Sequence, residues 1–364
     1  MQMLIDPWGD TLIEDYKKVI ENFGLEKFNT EMFPNPNALM RRGLVFAGRD
    51  LKRISESIKL KKPFYVLSGI MPSAEKLHFG NKSVVDNVKY FQEQGGETYI
   101  VIADLEASAT RNVSVEEARN RALSLHIPAY LALGLDIKKT NFYFQSENRT
   151  VTKLSFEAAQ KITLNEFKGV YGNADPSRIL SAITQIGDMI YPQEKKEKPF
   201  PGIIPVGVDQ EPHIRLCRDY LHKIDKQKRF IPISSIYHKF LPSMDGKAKM
   251  SKSNPKGNIS IPEDPETACT TINKAFTGGR ATLEEQRKHG AEIEKDMVFE
   301  LLKQHLVKDD HELEEIRHDY ASGKMLSGEL KQIACEKMTL FLKNFQKETE
   351  RYKRKTNQIK FLQF

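Results

Sequence analysis

The sequence predicts an α/β protein: a parallel sheet with crossover helices, followed by a region that is helical throughout. Short apolar runs alternate with amphipathic helical stretches between residues 61 and 224, which is the pattern of successive βαβ units. Beyond Pro262 strand-like runs stop, and periodic helical segments follow one another to about residue 355. The chain has 364 residues, 39% hydrophobic and 29% charged, enough to bury a core for two domains and too apolar for a disordered chain.

The elements follow in order. Leu12, Ile13, Tyr16, Val19, Ile20 and Phe23 recur at helical spacing over 10–24, with Gly24 as the stop. RRGLVFAGRD (41–50) reads as a short hairpin or turn before another helix, and the pattern changes at Lys61. PFYVLSGI (63–70) is a compact apolar strand; a helix over 80–94 follows, with Val84, Val88 and Phe91 on one face and Gly95-Gly96 at its end. ETYIVIAD (97–104) is the second strand, and Ser114 caps a helix over 114–125 with acidic residues in its first turn. NFYFQSE (141–147) is the third strand, before a helical stretch to about residue 191. GIIPVGVD (202–209) is the fourth, and its helix carries Ile214, Cys217 and Leu221. The expected divisions are an appended N-terminal segment (1–60), a sheet domain (61–260) and a helical domain (261–364).

Ligands of parallel sheets bind at the carboxyl ends of the strands. Ser68, Gly69, Asp104, Glu106 and residues 207–210 would converge there. Two further stretches suit a polyphosphate. At 72–81, Pro72 and Ser73 open a loop and His78, Gly80 and Asn81 sit where a helix begins, with free N–H groups and a partial positive charge. Equally, His78 could simply cap that helix. In LPSMDGKAKMSKSNPKGN (241–258), Lys249 and Lys252 flank Ser251 among residues that cannot build a core. A solvated turn would look the same in isolation.

Other chemistries find no support. There is neither GxGxxG nor a Walker lysine pattern. Cys217, Cys269 and Cys335 are too dispersed for a zinc motif or a disulfide framework. No apolar run reaches the ~18 residues of a membrane span, and MQMLIDPWGD lacks the regions of a signal peptide. A cytoplasmic protein is expected. The net charge of +7 is compatible with a polyanionic partner, and basic runs lie at 222–229 and 351–355.

HFGN (78–81) and KMSKS (249–253), about 170 residues apart on such a scaffold, resemble the two signature motifs of class I aminoacyl-tRNA synthetases. MRRGLVFAGRD (40–50), PVGVDQEPHIRLCRD (205–219), AFTGGRATLEEQRKHGAEIEKDMVFELL (275–302) and IRHDYASGKMLSGELK (316–331) narrow the resemblance to the archaeal/eukaryotic form of the tryptophanyl-tRNA synthetases. The resemblance implies a Rossmann-like catalytic domain, a dimer-forming insertion at about 106–170 and a helical anticodon-binding domain. It implies that ATP and L-tryptophan form an adenylate, that Mg²⁺ comes bound to the nucleotide, and that the aminoacyl group passes to tRNA(Trp). The partners would be these substrates and a second copy of the chain, with no membrane and no DNA.

The resemblance assigns catalysis to His78, Lys249, Ser251 and Lys252, and ATP binding to these with Pro72, Ser73, Gly80, Asn81, Gly207, Asp209 and Met250. Leu67, Glu106, Gln185, Asp188 and Gln210 fall at tryptophan-binding positions. Three departures stand out: Asn81 replaces the second histidine of the first motif, and Leu67 and Val101 replace a tyrosine and a glutamine that read the indole N–H. Gln185 and Asp188 resemble the QxxD of tyrosine-specific relatives, so Asp188 could accept from an indole N–H or from a tyrosine hydroxyl. The alternatives are thus a tyrosine enzyme and a non-catalytic tRNA-binding protein. IPAYLALGL (127–135) suits either the dimer contact or a core.

Overall fold

The computed structural model describes residues 7, 13, 15–196, 198–224, 226, 229–247, 249–250 and 257–363. Its strands, in chain order, are β1 (Glu26–Lys27), β2 (Val45–Arg49), β3 (Tyr65–Ile70), β4 (Leu77–His78), β5 (Glu97–Ile102), β6 (Thr140–Phe144), β7 (Gly202–Gly207), β8 (Ser234–His238) and β9 (Ser260–Ile261). Among the described residues these form a seven-stranded sheet of order β1-β2-β8-β7-β3-β5-β6 and a small β4-β9 pair. The strands from β8 to β6 run parallel. Chain order runs outward from β3 in one direction and then from β7 in the other, so the sheet is doubly wound with its switch point between β3 and β7. Close approach there depends on Gly202, where a Cβ would lie 1.9 Å from the Tyr65 ring.

Strand alternation divides the core between the faces of the sheet. Tyr65, Leu67, Tyr99, Val101 and Tyr143 pack against the helices Arg149–Ala159 and Pro176–Glu194. On the other face Val66, Ile70, Ile100 and Phe142 join the helix Phe79–Glu93 and the core of the C-terminal helices, including Val298, Leu301, Met338 and Leu342. A single hydrophobic cluster therefore runs from the sheet into the helical region.

Three expectations change. RRGLVFAGRD is no local hairpin: β2 pairs antiparallel with β8 and with β1, so the N-terminal segment widens the central sheet. The first helix spans only Tyr16–Phe23, because Asp15 caps it by accepting from the N–H groups of Lys17 and Lys18; residues 10–12 and 14 are outside the described set. β8 was not anticipated. Of the two readings open for IPAYLALGL, the structure fits the core: Ile127, Ala129, Tyr130, Leu131 and Leu135 are buried within the chain, near the helix Ser327–Lys353.

The C-terminal residues cover one edge of the sheet. Phe142 N–H donates to Lys360 O at 3.0 Å, Leu362 N–H donates to Phe142 O at 2.8 Å, and the Phe361 ring stacks on Phe144 at 5.5 Å. An edge strand is thereby paired and shielded. Among the described residues no helix is long and apolar enough to cross a membrane.

Candidate active site

A cleft of about 720 Å³ opens at the switch point, over the carboxyl ends of β3, β5 and β7. That volume suits a small-molecule site. One side is built from the turn leading into the helix Phe79–Glu93. Gly80 N–H donates to His78 Nδ1 at 3.1 Å, and His78 N–H donates to Asn81 Oδ1 at 3.1 Å. This reciprocal cap satisfies helix-end groups that would otherwise be orphaned. With Nδ1 accepting, the neutral imidazole carries its proton on Nε2, which makes that atom a donor. Asn81 has a second partner in the Tyr130 side chain. Its amide shapes the turn, a role that needs no cationic side chain. Gly80 is required because a Cβ there would lie 2.7 Å from the His78 ring.

Across the cleft, β7 ends at Gly207 and Asp209 folds back over it; a Cβ on Gly207 would sit 2.7 Å from Asp209 Oδ1. Lys249 Nζ donates to Asp209 Oδ2 at 3.1 Å and lies 5.0 Å above the Phe240 ring. Met250 is buried, and its N–H donates to Leu241 O at 2.7 Å. The lysine loop is therefore moored at its start. His78 and Lys249 face one cleft, together with Ser73, Gly80, Asn81, Gly207, Asp209, Gln210 and Met250. Ser251 and Lys252 lie outside the described residues. Pro72 is buried and is not on the cleft wall, because the chain turns its ring inward after β3.

The other half is dry. Leu67 and Val101 form an apolar wall, and Glu106, Gln185 and Asp188 reach the same space. Gln185 Nε2 donates to both Glu106 oxygens at 2.9 Å. Asp188 accepts from Tyr143 Oη at 3.0 Å and from Gln145 Nε2 at 2.6 Å. Gln145 also links Asp188 to the Glu106 backbone, since its Oε1 accepts from the Glu106 N–H at 3.2 Å. Burial pushes Glu106 up to about 7 and Asp188 up to about 8, against the opposing effect of these hydrogen bonds. Charged acids are costly in so little water.

Sequence reasoning missed four members of the site. Tyr143 and Gln145 alternate along β6 and its end, so period-2 spacing could have found them. His213 and His238 also line the cleft, and burial drives them down to about 3 and about 4, so both are neutral. His213 Nδ1 is 2.8 Å from Tyr171 Oη. Among the described residues no group of three or more His, Cys, Asp or Glu side chains could hold a metal ion.

A doubly wound sheet with a histidine turn and a lysine loop on facing sides of its switch-point cleft defines a class of nucleotide-handling proteins. Within that class, the chain belongs to the class I tRNA synthetases for tryptophan and tyrosine, whose family model matches residues 59–343. It is 39% identical over 359 residues to the tryptophan–tRNA ligase of Methanocaldococcus jannaschii, covering 96% of each chain. The crystal structure of tryptophanyl-tRNA synthetase from Aeropyrum pernix K1 is similar at a TM-score of 0.89 and 36% identity, over 98% of this chain and 99% of that one. A tryptophanyl-tRNA synthetase from Encephalitozoon cuniculi, bound to tryptophan, is similar at a TM-score of 0.84 and 27% identity, over 96% and 98% of the two chains.

Proposed function

We propose that the chain joins L-tryptophan to tRNA(Trp) at the expense of ATP. The observation that carries this reading is the placement of His78 and Lys249, with Glu106 and Asp188, around one cleft. In the first step an oxygen of the tryptophan carboxylate attacks the α-phosphorus of ATP. The bond to the bridging oxygen breaks, giving tryptophanyl-adenylate and pyrophosphate. In the second step a hydroxyl of the terminal tRNA ribose attacks the activated carbonyl, giving aminoacyl-tRNA and AMP.

Positioning and charge stabilisation drive such a reaction. His78 Nε2–H donates to a phosphate oxygen. Lys249 leaves Asp209 for the phosphates, which frees the Asp209 carboxylate for a ribose hydroxyl, and Ser251 and Lys252 act from the same loop. Mg²⁺ bound to the nucleotide, without a protein cage, would offset phosphate charge. Glu106 and Gln210 hold the tryptophan ammonium. Asp188 accepts from the indole N–H, replacing the side chains that Leu67 and Val101 lack; leaving that donor unpaired would cost roughly 1–3 kcal/mol.

The helical domain reads the anticodon on this account. Within the 222–229 run Lys223 pairs with Glu166, and Arg229 with Glu157 and Glu194. In the 351–355 run Arg351 and Lys353 pair with Glu348 and Glu350 on the same helix but remain exposed, so they can turn to RNA phosphates. Phe156 and Leu180 are 71% and 63% exposed, which supports a contact between two copies near the proposed insertion. The protein works in the cytoplasm. Charging of tRNA with labelled tryptophan, and with tyrosine in parallel, tests the proposal: acid-precipitable tryptophan is expected, and charging with tyrosine alone would replace it with the tyrosine reading.

A further inference from the structure

The motif at 40–50 plays no part in the chemistry above, yet its last two residues grip the helix that follows the strand-end turn. Arg49 closes β2, and its guanidinium donates to Glu211 Oε1 at 2.6 Å and to Phe23 O at 2.7 Å. The next residue, Asp50, accepts from Arg218 Nη1 at 2.7 Å. Glu211 and Arg218 lie two turns apart on one side of the helix Glu211–Lys223. The polarity is crossed, cation to anion at one contact and anion to cation at the other. Sliding the helix along β2 would bring like charges together, so the two pairs specify one axial register.

Stability alone gives little reason for this arrangement. Glu211 is fully buried, and apolar residues of similar volume often stabilise a core as well as a buried ion pair does. Asp50 is held at φ +50°, a left-handed backbone that glycine or asparagine adopts at lower cost. Directly before Glu211 stand Asp209 and Gln210, and Gln210 supplies no side-chain cap to the helix. Whatever fixes Glu211 also fixes the aim of the turn.

We propose that Arg49 and Asp50 are positioning residues for nucleotide activation: they set the register of the 211–223 helix and so aim the Gly207–Gln210 turn at the ribose of ATP. This inference rests on the reading of Asp209 as a ribose ligand.

The test uses the full chain, tryptophan-dependent exchange of pyrophosphate into ATP, and the variants Asp50→Asn, Glu211→Gln and Asp209→Ala. Asparagine keeps the shape of aspartate and tolerates the backbone of residue 50, while removing the charge that holds Arg218. Asp50→Asn and Glu211→Gln are expected to raise KM for ATP about tenfold while KM for tryptophan stays within about twofold. A general loosening of the fold would move both constants together, and that result overturns the inference. So does an unchanged KM for ATP in both variants when Asp209→Ala raises it. An unchanged KM for ATP in Asp209→Ala overturns the ribose reading and the inference with it, although continued exchange would leave the enzymatic assignment intact. Should Asp50→Asn fold poorly, Glu211→Gln alone decides.

Discussion

The two halves of the cleft solve opposite physical problems. On the side proposed for the nucleotide Lys249 is paired with Asp209, and their side chains are 13% and 19% exposed, so water and an incoming phosphate can compete for both. On the side proposed for the amino acid Asp188 is 3% exposed, and Tyr143 and Gln145 each donate to one of its oxygens. A site that grips and releases a polyanion needs charges that exchange partners readily. A site that distinguishes one aromatic amino acid needs a dry acceptor held rigidly, because discrimination comes from what an ill-fitting ligand leaves unpaired.

Breaking the dry half should have the largest effect. Asp188→Ala removes the acceptor and strands Tyr143 and Gln145; kcat/KM for tryptophan in pyrophosphate exchange should fall by roughly 10²–10³-fold, with KM for ATP little changed. Lys249→Ala should show the opposite signature, a kcat loss of about 10²-fold with tryptophan binding intact by calorimetry. Equal losses in both constants for both variants would erase the distinction.

Proton linkage sharpens the comparison next. Glu106 and Asp188 have ordinary values of 4.5 and 3.8 and are raised to about 7 and about 8. Their contribution to stability is thus fully present below the ordinary values and is lost as pH rises through the raised ones. Thermal melting of the ligand-free protein should therefore decline between about pH 7 and about pH 9, above the range in which the buried His213 and His238 add stability with rising pH, and Asp188→Asn should flatten that decline. The smallest effect is expected outside the cleft. Phe361→Ala should cost about 1 kcal/mol in denaturant unfolding through lost ring packing and leave both KM values unchanged.

The legibility of the fold followed the same physical division. β3, β5, β6 and β7 were readable because apolar runs end in glycines or polar turns. β8 escaped because Ser234, Ser235 and His238 are buried polar residues in a short strand, and nothing in their pattern marks a sheet interior. β2 lies in the stretch that reads as a short hairpin or turn, and it contains Gly48. That glycine marks close packing instead: a Cβ there would lie 2.5 Å from the Leu51 side chain and 2.6 Å from Ser235 O. In the site, His78, Asp209 and Lys249 could be found by motif. Strand alternation places Gln145 on the same face as Tyr143, but no motif marks it, because its contact with the Asp188 carboxylate spans 43 residues.

Amino-acid-dependent exchange of labelled pyrophosphate into ATP tests the central claim most directly, since it requires both halves of the cleft in one reaction. Exchange should occur with tryptophan, fail with tyrosine and fail with no amino acid. Exchange that tyrosine supports and tryptophan does not, or no exchange with either by a protein that still binds both ATP and tryptophan, would contradict it.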